Sequence, residues 1–142
     1  MNNIKIKKIS SDEIDTVVDI WYKASIQAHG FIPNEYWEKN KISMKNEYIP
    51  MSETYVAMNE QEILGFISLL NEYLAALFVK PEIQGTGIGS LLINHGKSLQ
   101  KNLQLKVYSK NKKSIQFYLN NNFSIISEST DETTGEKELL MN

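Results

Sequence analysis

The chain contains no cysteine. That single absence excludes disulfides, thiolate zinc sites and a cysteine nucleophile. Histidine is nearly as scarce: His29 and His95 are the only two, so a histidine-rich metal centre is not expected. No apolar run reaches the ~18 residues that a membrane span requires. The opening MNNIKIKKIS has basic residues without an apolar stretch behind them, so it does not read as a secretory signal. Charge of one sign is lacking too. Fifteen lysines and arginines face 17 carboxylates, a net charge of −2. That argues against a nucleic-acid partner, which usually requires a basic patch. These absences lead us to expect a soluble, cytoplasmic protein with no metal, membrane or nucleic-acid partner. What is present is 142 residues, 42% of them hydrophobic, which suits one domain over 1–142 with a real core.

Ile4, Ile6 and Ile9 are interspersed with lysines, which predicts a half-buried strand. Ser10 stands three residues before Glu13, a capping-box pattern that opens a helix. Ile14, Val17, Val18 and Trp21 carry that helix, and Gly30 and Pro33 mark its end. Residues 34–48 are expected to form a second helix, closed by Pro50. TYVAMN, ILGFISLLN and YLAALFVK follow with short polar turns between them and read as an antiparallel meander. The third run is apolar at nearly every position, which predicts a strand covered on both faces. A glycine-rich turn and a helix come next, with Ile88, Leu91, Leu92, His95 and Leu99 on one helical face. LQLKVYS is a further strand. It should run parallel to the third, because a strand–helix–strand unit of this length forms a right-handed crossover. KKSIQFYLNNN is a short helix with Ile115, Tyr118 and Leu119 inward, and FSIISES and KELLMN form a closing hairpin around DETTGE.

Gly85, Gly87 and Gly89 alternate in FVKPEIQGTGIGS, directly after the third apolar run. A Walker loop needs G-x-x-x-x-G-K-[ST], and from Gly85 the sixth residue is Ser90. The dinucleotide fingerprint G-x-G-x-x-G fails at the same serine, and QLKVYSK lacks the acidic residue that should follow about 20 positions on. A more general property survives. Backbone N–H groups unshielded by side chains run into the first N–H groups of a helix, which have no intrahelical partner. The helix dipole adds about half a positive charge there. Such a turn suits a diphosphate. The plainer alternative is a tight strand-to-helix turn, for which one glycine would suffice.

LFVKPEIQGTGIGSLLI resembles the acetyl-CoA site of the GCN5-related N-acetyltransferase (GNAT) family, whose motif reads Gln/Arg-x-x-Gly-x-Gly/Ala. Gln84, Gly87 and Gly89 fill it. About 20 residues later, NKKSIQFYLNNNF is similar to the second family signature, N-x-x-A-x-x-F-Y-x-x-x-G-F. Asn111, Phe117, Tyr118 and Phe123 match, Ser114 replaces the alanine and Asn122 replaces the glycine. Asparagine is the next best residue for a left-handed helix end. DIWYKASIQAHGFI is also similar to the first helix of a bacterial subgroup of small acetyltransferases.

The resemblance implies an acyl-CoA N-acyltransferase fold. That is a mixed α/β (α+β), mostly antiparallel sheet of about seven strands, with one parallel splayed pair and helices on both faces. It implies acetyl-CoA as cosubstrate and direct acetyl transfer to a primary amine. The diphosphate would rest on Gln84, Gly85, Thr86, Gly87, Ile88, Gly89 and Ser90, and the pantetheine arm would pair with Leu77, Phe78 and Val79. A backbone N–H near Phe78 or Val79 would stabilise charge on the thioester oxygen. Tyr118 is the candidate general acid for the departing thiolate; its plainer role is as a core tyrosine beside Ile115 and Leu119. Asn111 either touches the pantetheine or caps the helix after it. The base is open between Glu72, at the start of the cofactor strand, and His29, at the end of the first helix beside Phe31. Their plainer roles are a solvated turn carboxylate and a helix-end histidine. His95 receives no role, and Trp21, Tyr22, Phe31 and Trp37 are candidates for an acceptor pocket or for core. The acceptor is a small-molecule or peptide amine. A homodimer is a further expectation, because C-terminal strands of this fold often pair between subunits. The competing function is a catalytically silent acyl-CoA sensor; a nucleotide phosphotransfer domain is disfavoured by the missing Walker lysine.

Overall fold

The structure is a computed structural model that describes residues 3–142. The first two residues of the expected span 1–142 lie outside the described residues. Strand β1 (Lys5–Lys8) leads through a 3-10 turn at Ser11–Glu13 into helix α1 (Ile14–Ala28). The Ser10 N–H donates to the Glu13 carboxylate at 2.9 Å, which is the reciprocal half of the expected capping box, and Lys7 pairs with the same carboxylate at 2.7 Å. Helix α2 (Asn34–Ser43) continues through a π turn at Met44–Tyr48 into a short helical end, α3 (Ile49–Met51). Pro50 therefore does not close this helix. The widened turn just before it loosens the hydrogen-bond register, so the missing N–H and the ring are tolerated.

Strands β2 (Glu53–Met58), β3 (Ile63–Leu70) and β4 (Tyr73–Val79) form the expected meander, and the first sheet runs β1-β2-β3-β4, antiparallel throughout. After the glycine loop come α4 (Ile88–Leu99), β5 (Leu105–Tyr108), α5 (Lys112–Asn120), β6 (Ile125–Thr130) and β7 (Lys137–Met141). The last three strands form a second sheet in the order β5-β7-β6. The two sheets meet at one parallel bridge, Tyr73 to Gln104, where Leu74 N–H donates to the Gln104 carbonyl at 2.7 Å and Gln104 N–H to the Glu72 carbonyl at 2.8 Å. Beyond that bridge the two strands part. An irregularity opposite Ser68/Leu69 leaves Ala75 without a partner on β3, a bulge that bends β4 away. This is the splayed parallel pair within seven strands that the resemblance implied.

Helices α4 and α5 cover one face of the sheets, with Leu92, Ile93, Leu105, Val107 and Tyr118 in the shared core. Helices α1 and α2 cover the other face over Val56, Phe66 and Phe78. Each fully buried aliphatic side chain in these layers contributes about 1.5–3 kcal/mol. The strand covered on both faces is β3, buried at every position but Leu70, and not β4, whose Tyr73 and Ala75 are exposed. Strand β4 is the margin of its sheet and turns one edge to the gap, so its apolar sequence faces a cavity. Three inward assignments also change. Leu91, Leu99 and Leu119 are exposed, and the buried stripe of α4 is Ile88, Leu92, Ile93 and Gly96. Asn122 takes the left-handed conformation expected at the end of α5, with φ of 71°.

Candidate active site

The site grows from the end of β4. Gln84 Nε2 donates to the Val79 carbonyl at 3.2 Å and Thr86 Oγ1 to the Ile83 carbonyl at 2.6 Å, and these two bonds fold the loop back against the strand. Gly85 and Gly87 have φ of 81° and 96°. A side chain in that region costs about 1–2 kcal/mol. Nothing lies within 4 Å of a Cβ built at either position, so glycine is required there by conformation rather than by packing. The first helical bond of α4 runs from Leu91 N–H to the Gly87 carbonyl at 3.1 Å. The N–H groups of Ile88, Gly89 and Ser90 therefore have no partner within the helix. Gly89 has a different reason. A Cβ there would meet two ring carbons of Phe117 at 3.1 Å, so α5 closes directly on the loop at this point.

Strand β4 contributes a free edge. Lys80 N–H donates to the Leu64 carbonyl across the β3–β4 ladder at 2.9 Å. In an antiparallel ladder such bonds alternate, so Phe78, the register partner of Phe66, also turns its N–H inward to β3. The N–H groups of Leu77 and Val79 point the other way, into the gap left by β5. Of the two amides expected to face a ligand in the gap, that of Val79 is therefore free and that of Phe78 is not.

Between this edge, the loop, α1 and the start of α5 lies a cavity of about 780 Å³. That is within the range of small-molecule and cofactor sites. Leu77, Phe78, Val79, Gln84, Gly85, Gly87, Ile88, Gly89, Ser90, Asn111 and Tyr118 all line it, so the structure brings together nearly all of the expected cofactor residues. Thr86 does not line it; its hydroxyl is held by the Ile83 carbonyl. Sequence reasoning missed the α1 wall of Ala24, Gln27 and Ala28 and the lysines Lys110, Lys112 and Lys113. The run KNKK before an amphipathic helix was the available signal for the lysines. Carboxylates are absent from the lining. The chain has no arginine, so the lysines and the bare amides supply all of its positive potential. Such a surface fits a diphosphate ester with an apolar arm.

Tyr118 is 8% exposed and belongs to the core, yet it also lines the cavity. Burial pushes its hydroxyl well above the ordinary tyrosine range, and neighbouring Tyr73 adds to the shift. It is therefore protonated at neutral pH. Asn111 caps α5, accepting the Ser114 N–H on Oδ1 at 3.3 Å, and lines the cavity as well. His29 is 7% exposed and lies one layer behind. It is stacked on Trp37 at 5.0 Å between ring centroids and packed edgewise on Phe31 and Tyr108. Its Nε2 is 3.2 Å from the Asn111 amide nitrogen. Burial lowers its pKa, and the Ser25 carbonyl opposes that only in part. Glu72 is not brought to the cavity. It is exposed in the β3–β4 turn, and five residues of strand, roughly 16 Å, separate it from Leu77. Trp21 and Trp37 are core, 5.8 Å apart edge to face; Tyr22 lies under the Lys41 ammonium; His95 packs edgewise on Tyr55.

Comparison with known proteins gives a consistent result. Residues 50–125 match the family model described as the acetyltransferase (GNAT) domain. The peptidyl-lysine N-acetyltransferase YjaB of Salmonella typhimurium is 28% identical over 140 residues, which is 98% of this chain and 96% of that protein. The solution structure of the apo form of YjaB from Escherichia coli superimposes with a TM-score of 0.86 at 26% identity, covering 97% of this chain and 95% of that one. The PaiA N-acetyltransferase of Thermoplasma acidophilum, in complex with coenzyme A, gives 0.80 at 22% identity over 98% and 97% of the two chains.

Proposed function

The chain belongs to the GNAT acetyltransferase family and is an acetyl-CoA-dependent N-acetyltransferase, and from that premise we propose that its acceptor is a lysine ε-amine carried on a peptide or protein. The observation that carries the cofactor half of this reading is the run of unpartnered N–H groups at the end of β4. It opens into a cavity that also holds Tyr118. The acceptor half has two supports. Relatives such as YjaB are named for peptidyl-lysine. Beyond the gap between the strands, Tyr108 and Glu138 are register partners on β5 and β7, and the Tyr108 hydroxyl donates to Asp131 at 2.7 Å. Carboxylates among aromatic rings suit an incoming ammonium.

Acetyl-CoA supplies the acetyl group as a thioester. The amides of Gly85 and of Gly87 to Ser90, with Lys112 and Lys113, bind the diphosphate end. The free edge of β4 pairs with the pantetheine arm. The Leu77 N–H is the free donor farther from the loop, and it stabilises the charge that develops on the carbonyl oxygen as the amine attacks. One such donor is worth about 2.7–4 kcal/mol where it has been removed from other enzymes. Tyr118 donates its proton to the departing sulfur as the C–S bond breaks, and the proton that the amine nitrogen loses on becoming an amide restores the hydroxyl through solvent. Burial keeps this hydroxyl protonated, so it is present as a donor when charge develops on the sulfur.

The test is release of free thiol from acetyl-CoA with a panel of lysine peptides, free amino acids and polyamines, run beside Tyr118→Phe. Lysine peptides are expected to turn over fastest. Thiol release with polyamines alone would refute the acceptor. Cofactor binding with no release for any amine would favour the sensor.

A further inference from the structure

His29 and Asn111 are 82 positions apart and form a buried side-chain pair, 7% and 9% exposed. The Asn111 carbonyl oxygen is committed to the Ser114 N–H at the start of α5. Its amide nitrogen therefore faces His29, and an amide nitrogen only donates. The ring nitrogen opposite, Nε2, must accept, so it carries no proton. The proton of the neutral ring then sits on Nδ1, which is buried near the Ser25 carbonyl but outside hydrogen-bond geometry with any described residue. We propose that His29 is a positioning residue that acts as an acceptor, holding Asn111 in the cofactor cavity through Nε2 with its proton on Nδ1.

The surroundings agree with a neutral ring. Trp37 from α2 stacks on one face, and Phe31 and Tyr108 pack at the edges. The groups with charge or a titratable proton near this cluster are few. They are Tyr36 on α2, Tyr108 on β5, Lys110 over the Phe31 ring, and Asp131, which is held by the Tyr108 hydroxyl. Asp131 is occupied by Tyr108 and does not contact the imidazole in any hydrogen bond, and Lys110 is engaged over the Phe31 ring. Burial lowers the His29 pKa, in the direction that keeps Nε2 free. Protonation would set two donors, Nε2–H and the Asn111 amide, against each other. The amide would turn away, and with it the cap of α5 and one wall of the cavity.

The binding part of this inference rests on acetyl-CoA occupying the cavity, as proposed above; the tautomer does not. The experiment is nitrogen-15 NMR of the imidazole in the full chain, joined to coenzyme A titrations of wild type, His29→Leu and His29→Gln between pH 5 and 8. Expected are a proton on Nδ1 with Nε2 bare at neutral pH, and a coenzyme A dissociation constant that rises for wild type toward acid pH. His29→Leu should bind roughly 2- to 10-fold more weakly at neutral pH, the worth of one neutral hydrogen bond. His29→Gln, whose carbonyl can accept, should recover part of that loss and show no acid dependence from this site. A proton on Nε2 at neutral pH overturns the inference and needs no variant to fold. Unchanged affinity in His29→Leu, with wild type binding normally, overturns it too. Failure of wild type to bind coenzyme A would instead refute the cofactor assignment.

Discussion

Replacing Gly87 and Gly89 by alanine, one at a time, separates the two reasons for glycine in the loop. At Gly87 the backbone has φ of 96°, and nothing lies within 4 Å of an added Cβ. The cost is conformational alone, about 1–2 kcal/mol. For a chain of this size that lowers the melting temperature by roughly 3–8 °C. If the loop relaxes instead, the N–H groups turn away from the cavity and coenzyme A binds more weakly. At Gly89 the residue is already helical, and alanine gains about 0.8–1 kcal/mol of helix propensity. Its Cβ, however, meets the Phe117 ring at 3.1 Å, so the ring must give by a few tenths of an ångström. Phe117 lines the cavity, and its shift is felt there. Gly89→Ala is therefore expected to melt close to wild type while losing coenzyme A affinity. Gly87→Ala should lose stability first. Differential scanning fluorimetry with and without coenzyme A reads both. A Gly87→Ala protein that melts and binds like wild type would refute the assignment of the loop.

Tyr118→Phe should fold normally, because no hydrogen bond of its hydroxyl is found among the described residues, and should lower kcat about 10²-fold or more with little change in KM for acetyl-CoA. Since burial raises this hydroxyl, kcat should show no basic limb from it below about pH 10; a limb at lower pH that the phenylalanine abolishes would contradict the assignment. Lys112→Gln with Lys113→Gln should weaken coenzyme A binding roughly 2- to 10-fold and flatten its dependence on salt, as the loss of two exposed charges requires; an unchanged salt slope counts against their role. Stability should depend on His29 in a set direction. Its folded pKa is below the unfolded value of about 6.5, so its contribution is full above that value and declines as pH falls toward the folded pKa. Urea unfolding from pH 7 to pH 5 should show that decline, and His29→Leu should remove this part of it.

Much of the fold was legible because its signals are local. Alternating isoleucine and lysine mark β1, three spaced glycines mark the turn, and Asn122 marks the end of α5. The central position of β3 was not, because β3 and β4 are equally apolar and only the sheet order decides which lies inside. The inward stripe of α4 was misjudged because it runs through Gly96, which carries no hydropathic signal, while Leu91 and Leu99 sit beside it in solvent. For the site, the glycines of the loop and Asn111 could be read from local pattern, whereas Lys110, Lys112 and Lys113 beside Asn111 were passed over and Thr86 was wrongly included. Glu72 misled because nearness in sequence to the cofactor strand says nothing about which end of that strand the cavity occupies. His29 was found as a residue, but its burial behind Asn111 was not foreseen. Its position behind Asn111 comes from Trp37, Phe31 and Tyr108, contributed by three separate segments, and no local pattern announces such a meeting. Phe78 and Val79 were left as alternative donors because a motif gives a neighbourhood, whereas the register with β3 decides which amide is free.

The measurement that bears most directly on the whole account is an amide nitrogen–proton spectrum of the full chain during titration with coenzyme A. The amides of Gly85, Gly87, Gly89 and Ser90, together with those of Leu77 and Val79, should move first and farthest, while that of Phe78, bonded within the sheet, moves little. If those six resonances stay in place while others saturate, coenzyme A is held elsewhere and the loop is only a turn.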